Sequence, residues 1–298
     1  MSSKDTKVIV FLAFGSEKIC NQAILCILTL YFHSQENFAQ YRIVIYTDNG
    51  SIFTNHLKGI PLTIELLTKQ ELDRFKGTIN YIFRAKVFII KDCLQKYKQD
   101  VIFLDSDVLF TKAPEALFQR ISKEVNIMHM NEFDLYEAGN YEDINWLRLR
   151  KGIRENTFLI KGKKVEIPFS TRVWNSGVIG TSVANIALLD DILELMDQLY
   201  SKAKYYAAEQ FAFAYIFQTE SSIIPADEYI FHYWPYKHIY NNHIKAFLKN
   251  NAGLPLPAKA QKTQEFIEQL HHLPSPEPTF IKNMLKRLQR SANILMHG

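Results

Sequence analysis

The sequence predicts an α/β fold with a mostly parallel central sheet, and three observations carry that prediction. Strand-like runs such as Lys7–Ala13 and Val101–Leu104 are continuously apolar instead of alternating, the pattern of strands covered on both faces. Segments with one apolar face at helical spacing fall between them, as the crossovers of parallel strands require. At 47% hydrophobic and 22% charged, 298 residues can also bury one large core.

In chain order, residues 7–13 form the first strand, Gly15 and Ser16 stop it, and residues 21–32 form the helix that follows. Residues 42–47 repeat the strand signal, with Asp48, Asn49 and Gly50 as its turn, and 62–67 make a third strand. A long helix over 81–97 leads into a fourth strand, 101–104. Residues 125–130 read as a strand, 131–164 as a less regular stretch, 171–180 as another strand, and 183–200 and 211–217 as helices. Five of the ten prolines, at 255, 257, 274, 276 and 278, crowd together, so a domain over 1–251 is expected to end in a Pro-rich strap and basic tail, 252–298. Ligands of such sheets sit at the carboxyl ends of the strands, so function is sought just after each one.

Charge narrows the partners. Four of the 35 basic residues, Lys282, Lys286, Arg287 and Arg290, lie in the last twenty positions with no acid among them, which leaves the first 278 residues balanced at 31 to 31. A balanced body argues against nucleic acid as the ligand, because phosphate-backbone binding needs a concentrated positive surface. The three cysteines, Cys20, Cys26 and Cys93, lie in apolar runs and read as buried thiols of a reducing compartment. The apolar run 8–14 is far too short to span a membrane, so a cytoplasmic location is expected.

Asp105-Ser106-Asp107 follows the apolar strand 101–104, placing two carboxylates at the end of a strand inside the sheet. Uncompensated charge is costly there, and a hard divalent cation supplies the compensation. The plain alternative is that Asp105 caps the following turn and Asp107 is a solvated loop residue.

Phe103-Leu-Asp-Ser-Asp107 resembles the DxD motif of GT-A-type nucleotide-sugar glycosyltransferases, and the chain is most similar to their family 8. Three further stretches fit in order. Trp174-Asn175-Ser176-Gly177-Val178 resembles the strand lining the donor-sugar pocket, Glu209-Gln210 stands where the family has an Asp-Gln pair, and His232 and Lys237 resemble its C-terminal metal ligand and diphosphate-binding lysine. The resemblance implies a single GT-A-like (Rossmann-like) domain with a C-terminal helical tail. It implies a metal site of Asp105, Asp107 and His232 that takes Mn²⁺ or Mg²⁺, and Glu209 and Gln210 as catalytic residues. It further implies a nucleotide-sugar site drawing on Ala13, Phe14, Arg84, Lys86, Ser106, Asn175, Ser176 and Lys237. The donor it favours is a UDP-sugar, although Phe14-Gly15-Ser16 replaces the polar cluster that usually holds uridine, and the acceptor is a glycan or lipid-linked sugar. Retention of anomeric configuration is the outcome it favours; with inversion, Glu209 would instead serve as general base.

Two other readings remain open at this level. Asp105-Ser-Asp107 also fits the nucleophile motif of haloacid-dehalogenase-type phosphohydrolases, which would need a second metal motif such as one around Asp190 and Asp191. A non-catalytic sugar-nucleotide-binding protein would keep the same fold. Residues 131–164 suggest an acceptor side, because Arg148, Arg150, Lys151, Arg154, Lys161, Lys163 and Lys164 face the single acid Glu155 between 148 and 164. On a helix, Phe280, Ile281, Met284, Leu285 and Leu288 fill one arc and the tail's four bases the other, so residues 279–298 fit either an anionic membrane surface or a docked terminal helix.

Overall fold

A computed structural model describes residues 6–136 and 144–273. Its first half alternates as the sequence predicts: β1 (Lys7–Ala13), α1 (Glu17–Ser34), β2 (Tyr41–Thr47), α2 (Gly50–His56), β3 (Leu62–Leu66), α3 (Lys69–Lys76), α4 (Arg84–Tyr97) and β4 (Val101–Leu104). The second half holds β5 (Val108–Phe110), α5 (Glu115–Arg120), β6 (Val125–Met128), β7 (Asn131–Asp134), α6 (Ile144–Glu155), β8 (Phe158–Ile160), β9 (Lys163–Val165), β10 (Arg172–Trp174) and β11 (Val178–Thr181). It closes with α7 (Leu188–Ala203), α8 (Ala208–Glu220), β12 (Ser222–Pro225), β13 (Ile230–His232), α9 (Lys237–Asn250) and α10 (Leu256–His271).

Seven strands form the central sheet in the order β12-β6-β11-β4-β1-β2-β3. Only β11 runs antiparallel to its neighbours, β4 and β6, so the sheet is mostly parallel. Alternate residues of the same strands enter two cores, as the strand period dictates. Val8, Val10, Val101 and Phe103 join one with α4, α7 and α8, while Ile9, Phe11, Ile102 and Leu104 join the other with α1, α9 and α10.

Local chemistry shifts several expected boundaries. The helix expected from 81 begins at Arg84, because Gly77 (φ 63°) and Asn80 (φ 51°) turn the chain through left-handed backbone first. The single strand expected over 171–180 is two strands in different sheets. The Asn175 side chain accepts from the Gly177 N–H at 2.9 Å, a local turn that separates β10, which pairs with β7, from β11 in the main sheet. The helix expected from 183 begins at Leu188, after a short turn capped by Ser182.

Part of the expected strap is a helix: α10 buries Ala260, Phe266, Ile267 and Leu270, and Phe266 stacks on Phe247 of α9 at 4.4 Å. The prolines at 274, 276 and 278 and the amphipathic tail, 279–298, lie outside the described residues. All three cysteines are free and buried. Among the described residues no helix is long and apolar enough to cross a membrane.

Candidate active site

Three backbone connections bring residues 105–107 and 232 together. The Asp105 N–H donates to the Gly177 carbonyl at 2.9 Å, anchoring the end of β4 to β11. Just beyond, β5 pairs antiparallel with β13 so that His232 faces Val108, and the Tyr233 N–H donates to the Asp107 carbonyl at 3.1 Å. One ligand atom from each of Asp105, Asp107 and His232 then lies within 4.8 Å of the others, a group that could hold a metal ion. His232 Nε2 is 3.3 Å and Lys237 Nζ 3.4 Å from the Asp107 carboxylate. Burial pushes that carboxyl up, but the His232 hydrogen bond and the charges of His232 and Lys237 outweigh it and hold Asp107 below the usual carboxylate range.

Lys86 has a different place from the one expected of a phosphate or sugar contact. Its buried ammonium lies 3.1 Å from Asp105 and 2.9 Å from Glu209, and it donates to the Ser176 carbonyl at 3.1 Å. It is the internal counter-ion of two acids, although it also borders the cavity beside them. Burial alone would lower the Lys86 pKa; Asp105 and Glu209 reverse that and raise it. Burial likewise raises Glu209, and the pull of Lys86 only partly offsets it. Glu209 sits in the first turn of α8 and accepts from Ser176 Oγ at 3.3 Å. Arg84 leaves the group: its guanidinium pairs with Asp197 at 2.9 Å and donates to the Phe75 carbonyl at 3.0 Å.

Asn175 and Gln210 meet through a residue the sequence reading missed. Glu132 accepts from Asn175 Nδ2 at 2.9 Å and from Gln210 Nε2 at 2.8 Å, and Asn175 Oδ1 lies 2.9 Å from His232 Nδ1. Glu132 stands two residues past the strand expected over 125–130, and strand ends are where the sequence predicts function. Gly177 has a steric reason to be glycine, because a Cβ there would lie 2.4 Å from His232 Nδ1.

The carboxylates open onto a cavity of about 280 Å³. Phe14, Leu72, Ile82 and Phe83 give it apolar walls, while Asp105, Ser106, Asp107, Lys86 and Lys237 give it a charged side. Ser106 donates to Gln22 at 3.0 Å, and Gln22, also missed in the sequence, donates to Asn241 at 2.7 Å. Ala13 is buried in the sheet, with its carbonyl facing Cys20 Sγ at 3.8 Å.

The β8–β9 hairpin of the basic stretch runs along α7: Lys161 pairs with Asp191 at 2.7 Å and Gln198 bonds Leu159. Lys151 and Arg154 lie near Glu155. Asp190 and Asp191 therefore have Lys91 and Lys161 as partners and do not join Asp105 and Asp107.

No protein-family model matches the chain, and no curated protein matches its sequence. Among solved structures it is similar to mouse xyloside xylosyltransferase 1, with a TM-score of 0.50 and 13% identity over 82% of this chain and 93% of that one. It is also similar to the galactosyltransferase LgtC (TM-score 0.49, 13% identity, 90% of this chain and 97% of that one). The glycosyltransferase GlyE of Streptococcus pneumoniae gives a TM-score of 0.43 at 12% identity, over 84% of this chain and 53% of that one. The fold is thus a GT-A-like α/β fold, and the likeness to the xylosyltransferase is one of fold.

Proposed function

We propose that this protein is a metal-dependent glycosyltransferase that moves a sugar from a nucleoside-diphosphate sugar, a UDP-sugar foremost, to a glycan or lipid-linked acceptor with retention of configuration. The observation that carries the reading is the convergence of Asp105, Asp107 and His232 at a strand end beside a cavity that Lys237 also borders. Two carboxylates and an imidazole suit Mn²⁺ and tolerate Mg²⁺. The donor set fits such an ion, because Asp107 is buried and its carboxylate faces His232 Nε2 across 3.3 Å. When bound, the ion stabilises negative charge on the departing diphosphate.

The chain's own residues do the rest. Lys237 approaches Asp107 from the first turn of α9 and places a second positive charge where diphosphate oxygens would lie. Phe14, Ile82 and Phe83 offer apolar surface to the base. Lys86 holds Asp105 and Glu209 together. Glu209 is only 3% exposed and bound to Lys86 and Ser176, so it is poorly placed to take a proton from an acceptor hydroxyl, which supports retention. Gln210 would line the reacting face. The basic residues between 148 and 164 favour an anionic acceptor, and the amphipathic pattern of 279–298 favours a peripheral position on a cytoplasmic membrane surface.

The test is a screen of sugar nucleotides for Mn²⁺-dependent hydrolysis, followed by proton NMR of the transferred linkage. One donor should be hydrolysed with Mn²⁺ and not with chelator, and its product should keep the donor's anomeric configuration. An inverted product overturns retention. Binding without any turnover points to the non-catalytic binding protein, and phosphate release from simple phosphate esters to the phosphohydrolase.

A further inference from the structure

We propose that Glu132 is a positioning residue: through Asn175 it keeps the proton of His232 on Nδ1, so that Nε2 is left to offer its lone pair to the cation. The inference rests on the metal site proposed above and extends it to a residue outside that site.

The argument follows the donors and acceptors. A carboxylate only accepts, so the amide end that faces Glu132 Oε1 at 2.9 Å must be the Asn175 nitrogen. Asn175 Oδ1 therefore points the other way, where it accepts the Gly177 N–H at 2.9 Å. The same oxygen lies 2.9 Å from His232 Nδ1, and against an acceptor that nitrogen must carry the proton. In a neutral imidazole the remaining nitrogen, Nε2, then holds a lone pair, and it lies 3.3 Å from Asp107 Oδ1. A proton on Nε2 bridges that gap to the carboxylate, and a cation bound there takes the proton's place.

Packing alone would not make this choice. The ring is wedged against Gly177 and meets the His129 ring edge-on at 5.5 Å, contacts that set its plane but not which nitrogen is protonated. His129 Nε2 is engaged with the Ile230 carbonyl at 2.9 Å. The hydrogen bond to Asn175 makes the choice, and Glu132 orients Asn175 together with the Gly177 N–H. The second oxygen of Glu132 holds Gln210 at 2.8 Å, so one carboxylate anchors both the metal-side histidine and the residue proposed for the reacting face. Partners of this kind behind a metal ligand typically change affinity 10–100-fold when removed.

The experiment uses the full chain with ¹⁵N-labelled histidine. The metal-free protein should show His232 with a proton on Nδ1, and binding of diamagnetic Mg²⁺ should leave that proton in place. Glu132→Gln can turn either end of its amide toward Asn175, so His232 should then give a mixture of tautomers. Mn²⁺ affinity, measured by titration, should fall about 10-fold while the thermal midpoint stays near the parent's. An Nε2–H tautomer in the parent overturns the proposal, and so does a variant whose Mn²⁺ affinity matches the parent's. If the variant fails to fold, the parent spectrum alone decides. A parent that binds no Mn²⁺ overturns the proposed function, while the tautomer still tests the hydrogen-bond relay.

Discussion

Two cavities of this molecule differ in a way that separates a working site from a crevice. The larger, about 650 Å³, lies among β3, α3 and α4 and is lined by three acids and three bases: Glu65, Glu71, Asp92, Arg74, Lys91 and Lys96. Most of its charges already have partners. Lys96 pairs with Glu65, Lys91 with Asp190, Tyr46 donates to Asp92, and Glu71 closes a capping box with Thr68 at the start of α3. The smaller cavity, about 280 Å³, is bordered by Asp105 and Asp107, with Glu209 behind Lys86, and only Lys86 and Lys237 as permanent cations. Volume therefore points to the first, and unbalanced charge to the second. Buried carboxylates persist only where something compensates them, so the arrangement that an added cation would complete is the better guide to chemistry.

The largest effect expected from this contrast is on the metal site. Asp107→Ala should lower Mn²⁺-dependent donor hydrolysis by about 10³-fold, the scale of losing a main electrostatic stabiliser of a departing anion. Asp105→Ala should act alike, and neither should change the far-UV circular dichroism. Full activity of Asp107→Ala in the presence of chelator would remove the metal from the mechanism.

Next comes the internal cation. Lys86→Met leaves Asp105 and Glu209 without their shared partner, and breaking a buried ion pair from one side costs about 3–5 kcal/mol. The Asp105 side chain is 32% exposed, so the lower end of that range applies. Adding Glu209→Gln removes one of the two stranded charges and should restore part of the stability, a coupling that urea unfolding of the four proteins in the cycle measures. A cost below about 1 kcal/mol for Lys86→Met alone would mean that these carboxylates need no internal counter-ion.

What the sequence made legible follows the range of the interactions involved. The βα alternation, the mostly parallel sheet and the strand end carrying Asp105 and Asp107 were readable because each depends on local apolar runs and the turns that end them. His232 and Lys237 were readable by resemblance, and the β5–β13 pairing supplies the physical reason that His232 lies beside Asp107. Side-chain direction was not readable. Arg84 and Lys86 share the first turn of α4, yet one pairs with Asp197 and the other with Asp105 and Glu209, because residues two apart on a helix face different ways. The break at 175–177 hid within a run that looks like one strand, since the Asn175 side chain, and no proline, turns the backbone there. Glu132 stayed hidden because its partners, Asn175 and Gln210, are 43 and 78 residues away.

The smallest effect is expected in the larger cavity, and it is the one that can reverse the comparison. Lys91 and Lys96 pair with Asp190 and Glu65 near the surface, where the Asp190 side chain is 59% exposed and that of Lys96 46%. Each such pair is worth about 0–1 kcal/mol, because water screens the attraction and two long side chains lose freedom to form it. Lys91→Ala with Lys96→Ala should therefore shift the urea midpoint only slightly, and the shift should shrink at about 1 M salt, where the screening length falls to roughly 3 Å. Mn²⁺ affinity and donor hydrolysis should stay at the parent level, since neither lysine contacts a residue of the metal group or lines the cavity beside it. If the double variant instead loses turnover while keeping its stability, the crevice with paired charges takes part in the reaction, and charge imbalance fails as the criterion that separates the two cavities.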